Sequence, residues 1–517
     1  MTGEETQASQ TPYPLKYDQW FPLHSIQAVY WLSRSLTRMS HVVLKVCVMH
    51  DIDPIVLQQA LQQIIDQNPM CKMSISPYVM KQRYVDDVHI ELVQVNMDQD
   101  HIDDEIKMVS KTYDAYMKKK LVLNKPPLLY ATLIKSCDRR RSHIVLAMPH
   151  IVSDAMTLLL VFKYLFIAYS ALKNDTIFLA PLPYNFYYEH IQKESSNIKK
   201  NHLQYQYFWG DYLHHSKPIY FPISKVDTSK AYLSNNFVKR ELEKETFIKI
   251  QTIGIKNNAS LNKVVLALTG ILLAFYTKND FNPIFNVIFG RSEERFKEVI
   301  GCFLTAELWK IHLNKSSNFQ QYFSDFSNEK KRVGEWQHYP FFIKLWLLEK
   351  NFWNISEKNF FLNVVSKIFN FLFSKHQHKS IIEACAKNFF VDALSGFFIC
   401  MEKIKKIFGF KASKKRIHFN FILNIVPLEK LTVLKNSLGF EMTFDPELEL
   451  PLISKNFLIL YLFTKSSTEA TFAVNGILCK QEKELLLDRL LFIIDSIAAD
   501  EEIKLEEILR ALETVSR

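Results

Sequence analysis

The chain has 517 residues, 48% hydrophobic and 23% charged, with a formal net charge of +10. So apolar a composition offsets chain entropy by burial, which excludes a mainly disordered protein, and 11 Gly with 18 Pro exclude collagen-like and low-complexity classes. The 7 cysteines, at positions 47, 71, 137, 302, 385, 400 and 479, contain no C-x-x-C pair and suit neither a disulfide framework nor a zinc module. A reducing, cytoplasmic setting is therefore expected.

Residues 1–12 are polar and acidic, with no apolar stretch behind a basic start, so a loose tail is expected and not a secretory signal. A helix is predicted from Ser25 to Arg38, with apolar positions at Ile26, Val29, Tyr30 and Leu32. His41 to Met49 is nearly continuous in Val and Leu, as in a strand buried on both faces. Asp53-Pro54 supplies an N-cap and a first-turn proline for a helix to Asp66. Arg83 to Asn96 reads as one strand and Asp103 to Lys118 as a helix. Leu128 to Cys137 and Ser142 to Pro149 read as an antiparallel pair joined across Asp138-Arg139-Arg140-Arg141. The second of these strands runs into His150. A helix capped by Ser153 or Asp154 then extends to Leu172.

That helix holds the longest apolar run, Thr157 to Leu172, but Lys163 interrupts it and it falls short of the roughly 20 residues a bilayer demands. It is predicted to be a core helix in a soluble or peripheral protein. Pro181, Pro183 and Pro218 mark a linker at 181–225, separating a first unit at 13–180 from a second at 226–517. In the second unit a helix is predicted from Leu261 to Lys278 with Ser260 as cap. Strands are predicted at 284–289, 304–313, 417–425, 457–463 and 469–475, and helices from Gln481 and Glu501. Two mixed α/β halves are the simplest architecture.

The charge is concentrated. Trp336 to Arg416 holds 14 Lys and Arg against 5 Asp and Glu, and 18 of the 75 residues from 336 to 410 are aromatic. Apolar residues recur there at helical spacing, as in Phe360, Val364, Ile368 and Phe371, with lysines between them. Such faces suit a helix lying in an anionic membrane interface, or a helix pair packed on the body with a solvated basic face. Aromatics interleaved with the basic residues, and the lack of a recognisable module, disfavour nucleic-acid binding.

His150-Ile151-Val152-Ser153-Asp154 is an H-x-x-x-D at a strand-to-helix junction, a place where α/β folds expose reactive side chains. Taken alone, the five residues favour a capping aspartate and a hydrogen-bonded core histidine over a reactive site. The wider chain, however, resembles the condensation domains of nonribosomal peptide synthetases. Phe21-Pro22-Leu23 with Gln27 resembles their opening signature. Asn68-Pro69-Met70, with Lys72 in place of the usual Arg, and Pro126 to Ala131 resemble the next landmarks. Tyr207-Phe208-Trp209, Gly290-Arg291 and Ile300-Gly301-Cys302-Phe303 resemble later ones, over about 13–510 in all. Within the family's H-H-x-x-x-D-G motif this chain departs twice, with Pro149 at the first histidine and Ala155 at the glycine.

The resemblance implies an α/β (α+β) fold of two chloramphenicol acetyltransferase-like lobes with mixed sheets, a V-shaped pseudo-dimer with a tunnel between the lobes. It implies an acyltransferase, forming an amide or an ester, with His150 as general base. Asp154 would face away from substrate toward Arg291, beside Gly290. Ser153, Ala155 and Trp209 become candidate channel residues. The implied co-substrate is an acyl-phosphopantetheine thioester on a carrier protein or on coenzyme A, with no bound cofactor and no metal. Two alternatives remain open: a membrane-docking transferase using 336–416 and a lipid alcohol, and a catalytically silent scaffold that binds a carrier, favoured by Pro149 and Ala155.

Overall fold

The computed structural model describes residues 17–33, 41–98, 102–120, 122–177, 186–214, 216, 219–222, 237–340, 344, 347–348, 416–427, 442–444, 457–476 and 478–515. The first half comprises β1 (Phe21–Pro22), α1 (Ser25–Ser33), β2 (His41–Val48), α2 (Pro54–Gln67), β3 (Met73–Ile75), β4 (Lys81–Tyr84), β5 (Leu92–Asn96), α3 (Ile102–Lys118), β6 (Tyr130–Lys135), β7 (Ser142–Pro149) and α4 (Ala155–Lys173). A long helix, α5 (Phe186–Tyr212), leads to β8 (Ile219–Pro222), β9 (Val238–Glu241), α6 (Lys244–Lys256), α7 (Leu261–Thr277), β10 (Phe281–Ile288), β11 (Thr305–His312) and α8 (Phe319–Gly334). Then come β12 (Arg416–Pro427), β13 (Met442–Phe444), β14 (Phe457–Thr464), β15 (Ala470–Gly476), α9 (Lys480–Ala499) and α10 (Leu505–Ala511).

Two mixed sheets organise these elements. The first has the order β13-β2-β7-β6-β5, antiparallel except between β5 and β6. The inner strands β2, β7 and β6 are buried on both faces, which explains their largely apolar runs. Val42, Leu44 and Val46 join the main core, while Val43, Val145 and Ala147 face Val109, Tyr113 and Tyr116 of α3. The second sheet has the order β11-β10-β12-β14-β15-β9, with parallel pairs β10–β12 and β12–β14 and with β8 beside β12. Strand β13 comes from the second half of the chain yet pairs with β2 in the first sheet, through Met442 opposite Val48 and Phe444 opposite Val46.

Local chemistry accounts for the boundaries. Asp53 caps α2, its carboxylate accepting from the Ile55 and Val56 N–H groups, and Pro54 takes the first helical position. Ser260 caps α7 through the Lys263 N–H. In the β6–β7 hairpin the Asp138 carboxylate accepts from the Arg140 N–H and the Ser136 hydroxyl, which ends β6 at Lys135, short of the expected Cys137.

Three expectations are corrected. The single strand predicted for Arg83–Asn96 is two, because Asp87 adopts a left-handed φ of 52° and turns the chain between β4, in a small sheet with β1 and β3, and β5, in the large one. Within the linker expected at 181–225, Phe186–Tyr212 form the 27-residue helix α5, which the sequence reading does not predict. The last helix starts at Leu505, since the Asp500 carboxylate draws the Glu502 N–H into a turn. The continuation of α1 to Arg38 falls outside the described residues. So does nearly all of the aromatic, basic stretch at 336–416, together with the membrane contact expected of it. The described start of that stretch packs on the body: Trp336 stacks on Phe208 at 4.4 Å, and Gln337 exchanges two hydrogen bonds with the Leu308 backbone.

Helix α4 is the one described helix that alone is long and apolar enough to cross a bilayer, and 67% of its apolar window is buried inside the protein, against α2 and the first sheet. Leu165 lies fully buried on it. Leu165→Ala should cost about 2–5 kcal/mol of unfolding free energy through lost burial and a residual cavity, measurable by urea denaturation.

Candidate functional site

The site begins where β7 ends. Pro149 is the last residue of the strand, with His41 of β2 as its cross-strand partner, and His150 opens the turn before α4. That turn is tight: the Val152 N–H and the Ser153 hydroxyl both donate to the Pro149 carbonyl, each at 3.0 Å. The Ser153 carbonyl is thereby brought to 2.7 Å from His150 Nδ1. A carbonyl can only accept, so Nδ1 carries the proton and Nε2 of the neutral ring keeps its lone pair. Among the described residues, no hydrogen bond reaches Nε2. His150 is 4% exposed, and burial pulls its pKa below the ordinary histidine value, which favours the neutral form. On one face it stacks against Tyr30 of α1, centroids 4.5 Å apart and planes 23° apart.

Asp154 turns the other way. Its Oδ1 accepts from the Thr157 N–H at 2.8 Å, capping α4. Its Oδ2 accepts from Arg291 Nη1 at 2.6 Å and from the Phe303 N–H at 3.0 Å. Arg291 also donates from Nη2 to the carbonyls of Val299 and Gly301 and to the Thr157 hydroxyl, and its guanidinium lies 4.5 Å from the Phe303 ring centroid. Both side chains are buried, 0% exposed for Asp154 and 5% for Arg291. A desolvated carboxylate needs such compensation.

The loop that carries Arg291 lies between β10 and β11, so this pair links the start of α4 to the second sheet. Gly290 makes the loop's approach achievable. Its φ is +62°, and a Cβ there would meet the Phe303 carbonyl oxygen at 2.0 Å.

The structure therefore gathers His150, Ser153, Asp154, Ala155, Gly290 and Arg291 at one place. Ser153 is fully buried and contributes its carbonyl and its turn-forming hydroxyl. Ala155 is the first helical residue of α4 and is not among the residues with positive φ, so the family's glycine is not required there for backbone conformation.

Trp209 lies elsewhere, and its expected place in a channel is corrected. It is fully buried in the last turns of α5, donates from Nε1 to the Trp336 carbonyl at 3.1 Å, and packs edge-on against Phe208 and Tyr212. Its ring also lies 5.2 Å from the ammonium of buried Lys344, whose pKa burial pulls down to about 7. It thus anchors α5 to the second half.

The sequence reading did not single out Tyr30 or Thr157 for the site. Thr157 could have been found, since the third residue after an N-cap donates to that cap. Tyr30 had no local signal, because its contact with His150 is made by tertiary docking alone.

Against this geometry stand the comparisons. The family model "Condensation domain" matches residues 17–362. The chain is 22% identical to bacitracin synthase 3 of Bacillus licheniformis over 282 residues, 52% of this chain and 4% of that protein. It is 22% identical to tyrocidine synthase 2 of Brevibacillus parabrevis over 288 residues, 55% of this chain and 8% of that protein. The chain thus spans less than a tenth of the length of these relatives. Among solved structures, the X-domain from teicoplanin biosynthesis superposes with a TM-score of 0.67 at 13% identity, covering 95% of this chain and 98% of that one. The first condensation domain of the calcium-dependent antibiotic synthetase, in complex with a substrate analogue, gives 0.65 at 13% identity over 95% and 99%. A mutant starter condensation domain of rhizomide synthetase, in complex with C8-CoA and Leu-SNAC, gives 0.64 at 13% identity over 94% and 96%. These structural likenesses establish the fold.

Removing either member of the Asp154–Arg291 pair strands the other's charge in a buried setting. Asp154→Ala and Arg291→Ala should each destabilise by about 3–5 kcal/mol, read as a drop in melting temperature. Melting curves unchanged in both variants would show that the two groups are not coupled.

Proposed function

The chain belongs to the condensation-domain family, and from that premise we propose that it transfers an acyl group from a phosphopantetheine thioester to an acceptor amine, with His150 as general base. The observation that carries this reading is the bond from His150 Nδ1–H to the Ser153 carbonyl, which fixes the tautomer and leaves Nε2 as the proton acceptor. Burial adds to it by keeping the imidazole neutral.

The acceptor nitrogen attacks the thioester carbonyl carbon while Nε2 takes the proton that the nitrogen must lose. Collapse of the tetrahedral adduct breaks the C–S bond, and the proton on Nε2 passes to the departing sulfur. A new C–N bond and a free thiol result, with the imidazole restored. Asp154 does not reach the substrate in this scheme. It caps α4 and holds Arg291, and so keeps the turn that aims His150.

The donor is carried by a carrier protein or by coenzyme A, and the rhizomide synthetase neighbour in complex with C8-CoA supports coenzyme A. An oxygen acceptor would follow the same proton path and give an ester. Pro149 favours one other reading, a silent scaffold that binds an acyl carrier, because it removes the first imidazole of the family motif.

Incubation of the protein with acyl-coenzyme A and acyl-carrier pools plus amine acceptors, followed by mass spectrometry, tests the assignment. Wild type should consume a donor, and His150→Ala should lose about 100- to 10,000-fold of that rate while still folding. Retained turnover in His150→Ala would remove the base role, and donor binding without turnover in wild type would favour the scaffold.

The lowered pKa of His150 also sets a pH dependence. The base is lost only on protonation, so the acid limb of kcat/KM should fall below pH 6.5, the ordinary histidine value, with activity flat above it until acceptor or donor chemistry intervenes. A rate profile from pH 4.5 to 8 measures this.

A further inference from the structure

Helix α1, which brings Tyr30 to His150, is capped by a residue from another element. The Ser25 N–H donates to Glu194 Oε2 at 2.9 Å and the Ser25 hydroxyl to Oε1 at 2.5 Å. His24 Nε2 lies 3.1 Å from the same Oε1, and its Nδ1 faces the Ile26 N–H at 3.4 Å. A carboxylate only accepts, so the His24 proton sits on Nε2 and is donated to Glu194. One carboxylate from the middle of α5 thus receives three donors at the N-terminus of α1, where a helix favours negative charge.

The same helix α5 grips the loop that carries Arg291. The Tyr187 hydroxyl donates to the Cys302 carbonyl at 3.0 Å, Lys193 pairs with Glu293 at 3.0 Å, and Glu189 pairs with Arg295 at 2.8 Å. His190 stacks on His24 at 4.7 Å and packs at a tilt of 42° against Phe303 at 4.8 Å, which connects the two grips. Helix α1 in turn delivers two contacts to the motif. Gln27 donates to the Ile151 carbonyl at 2.9 Å, and Tyr30 stacks on the His150 ring.

We propose that Glu194 is a positioning residue for the base: by capping α1 from α5, it holds Tyr30 against the His150 ring, so that the aim of the imidazole depends on α5 being docked between the two halves. The role rests on His150 being the base, and it concerns how that base is held. With the cap removed, the first turn of α1 loses three accepted hydrogen bonds, Tyr30 loosens, and water gains access to the imidazole. Asp154 faces both rings of this pair, and Cys302 and Tyr461 face Tyr30; none of the three is substituted in the variants below, so a moved His150 titration is expected to report the Tyr30 contact.

The test reads the ring directly in the full chain. Isotope-labelled histidine and NMR titration, with the His150 signal assigned by its loss in His150→Gln, give the His150 pKa without reference to turnover. Glu194→Ala should raise that pKa toward 6.5 and lower kcat by about 10- to 100-fold with KM nearly unchanged, the scale expected of a misplaced catalytic group. Glu194→Gln keeps an accepting oxygen for the Ser25 N–H but offers fewer accepting sites to the three donors, so its shift should be smaller. Tyr30→Leu should reproduce the pKa rise with the cap intact. If Glu194→Ala fails to fold, Glu194→Gln and Tyr30→Leu still decide the matter. A lowered melting temperature with His150 pKa and kcat both unchanged would reduce Glu194 to a structural cap and overturn the proposal. A shifted pKa in a wild-type background that shows no turnover would keep the positioning and refute the base.

Discussion

The structure depends on a buried carboxylate shared by both halves of the chain. Asp154 caps α4 with one oxygen and, with the other, accepts from a guanidinium and a backbone N–H that belong to the loop between β10 and β11. Such a group is costly to bury alone and becomes tolerable only when all its partners are in register. The position of the Arg291 loop relative to β7 and α4 is therefore set by hydrogen-bond geometry, which is directional, and not only by apolar packing, which is not. His150, four residues before Asp154, inherits that definition through the turn whose carbonyl accepts from its Nδ1.

Orientation of the imidazole then comes from two sides. The Ser153 carbonyl fixes the tautomer within the motif, and Tyr30 closes one face from outside it. Neither contact involves the residues in which the chain departs from the family pattern. Pro149 contributes a carbonyl to the turn, which proline retains, and Ala155 sits in ordinary helical backbone. Both departures are thus compatible with an intact His150–Asp154–Arg291 arrangement within a pair of chloramphenicol acetyltransferase-like lobes.

Much of this was legible in the residues, for physical reasons. The two-sided burial of β2 and β7 imposes continuous apolar runs, and the Asp53-Pro54 cap has a local signature. The motif residues lie within one turn of each other, and Arg291 follows a glycine whose backbone only glycine adopts easily. What escaped has equally specific causes. Helix α5 spreads its buried Tyr187, Ile191, Ile198, Tyr205 and Trp209 among charged residues and follows a proline-rich stretch, so it read as linker. An aromatic triplet does not reveal which way its rings face, and Trp209, a channel candidate by sequence, anchors α5 instead. The stacking of Tyr30 on His150 is set by how α1 docks, and no spacing rule reaches across that distance in sequence.

Strand β13 carries a consequence for biosynthesis. It forms one edge of the first sheet although nearly 400 residues separate it from β2, so during translation that edge of β2 lacks this partner until residue 444 has left the ribosome. A nascent chain halted before residue 442 would therefore present an open strand edge at β2 to its neighbours.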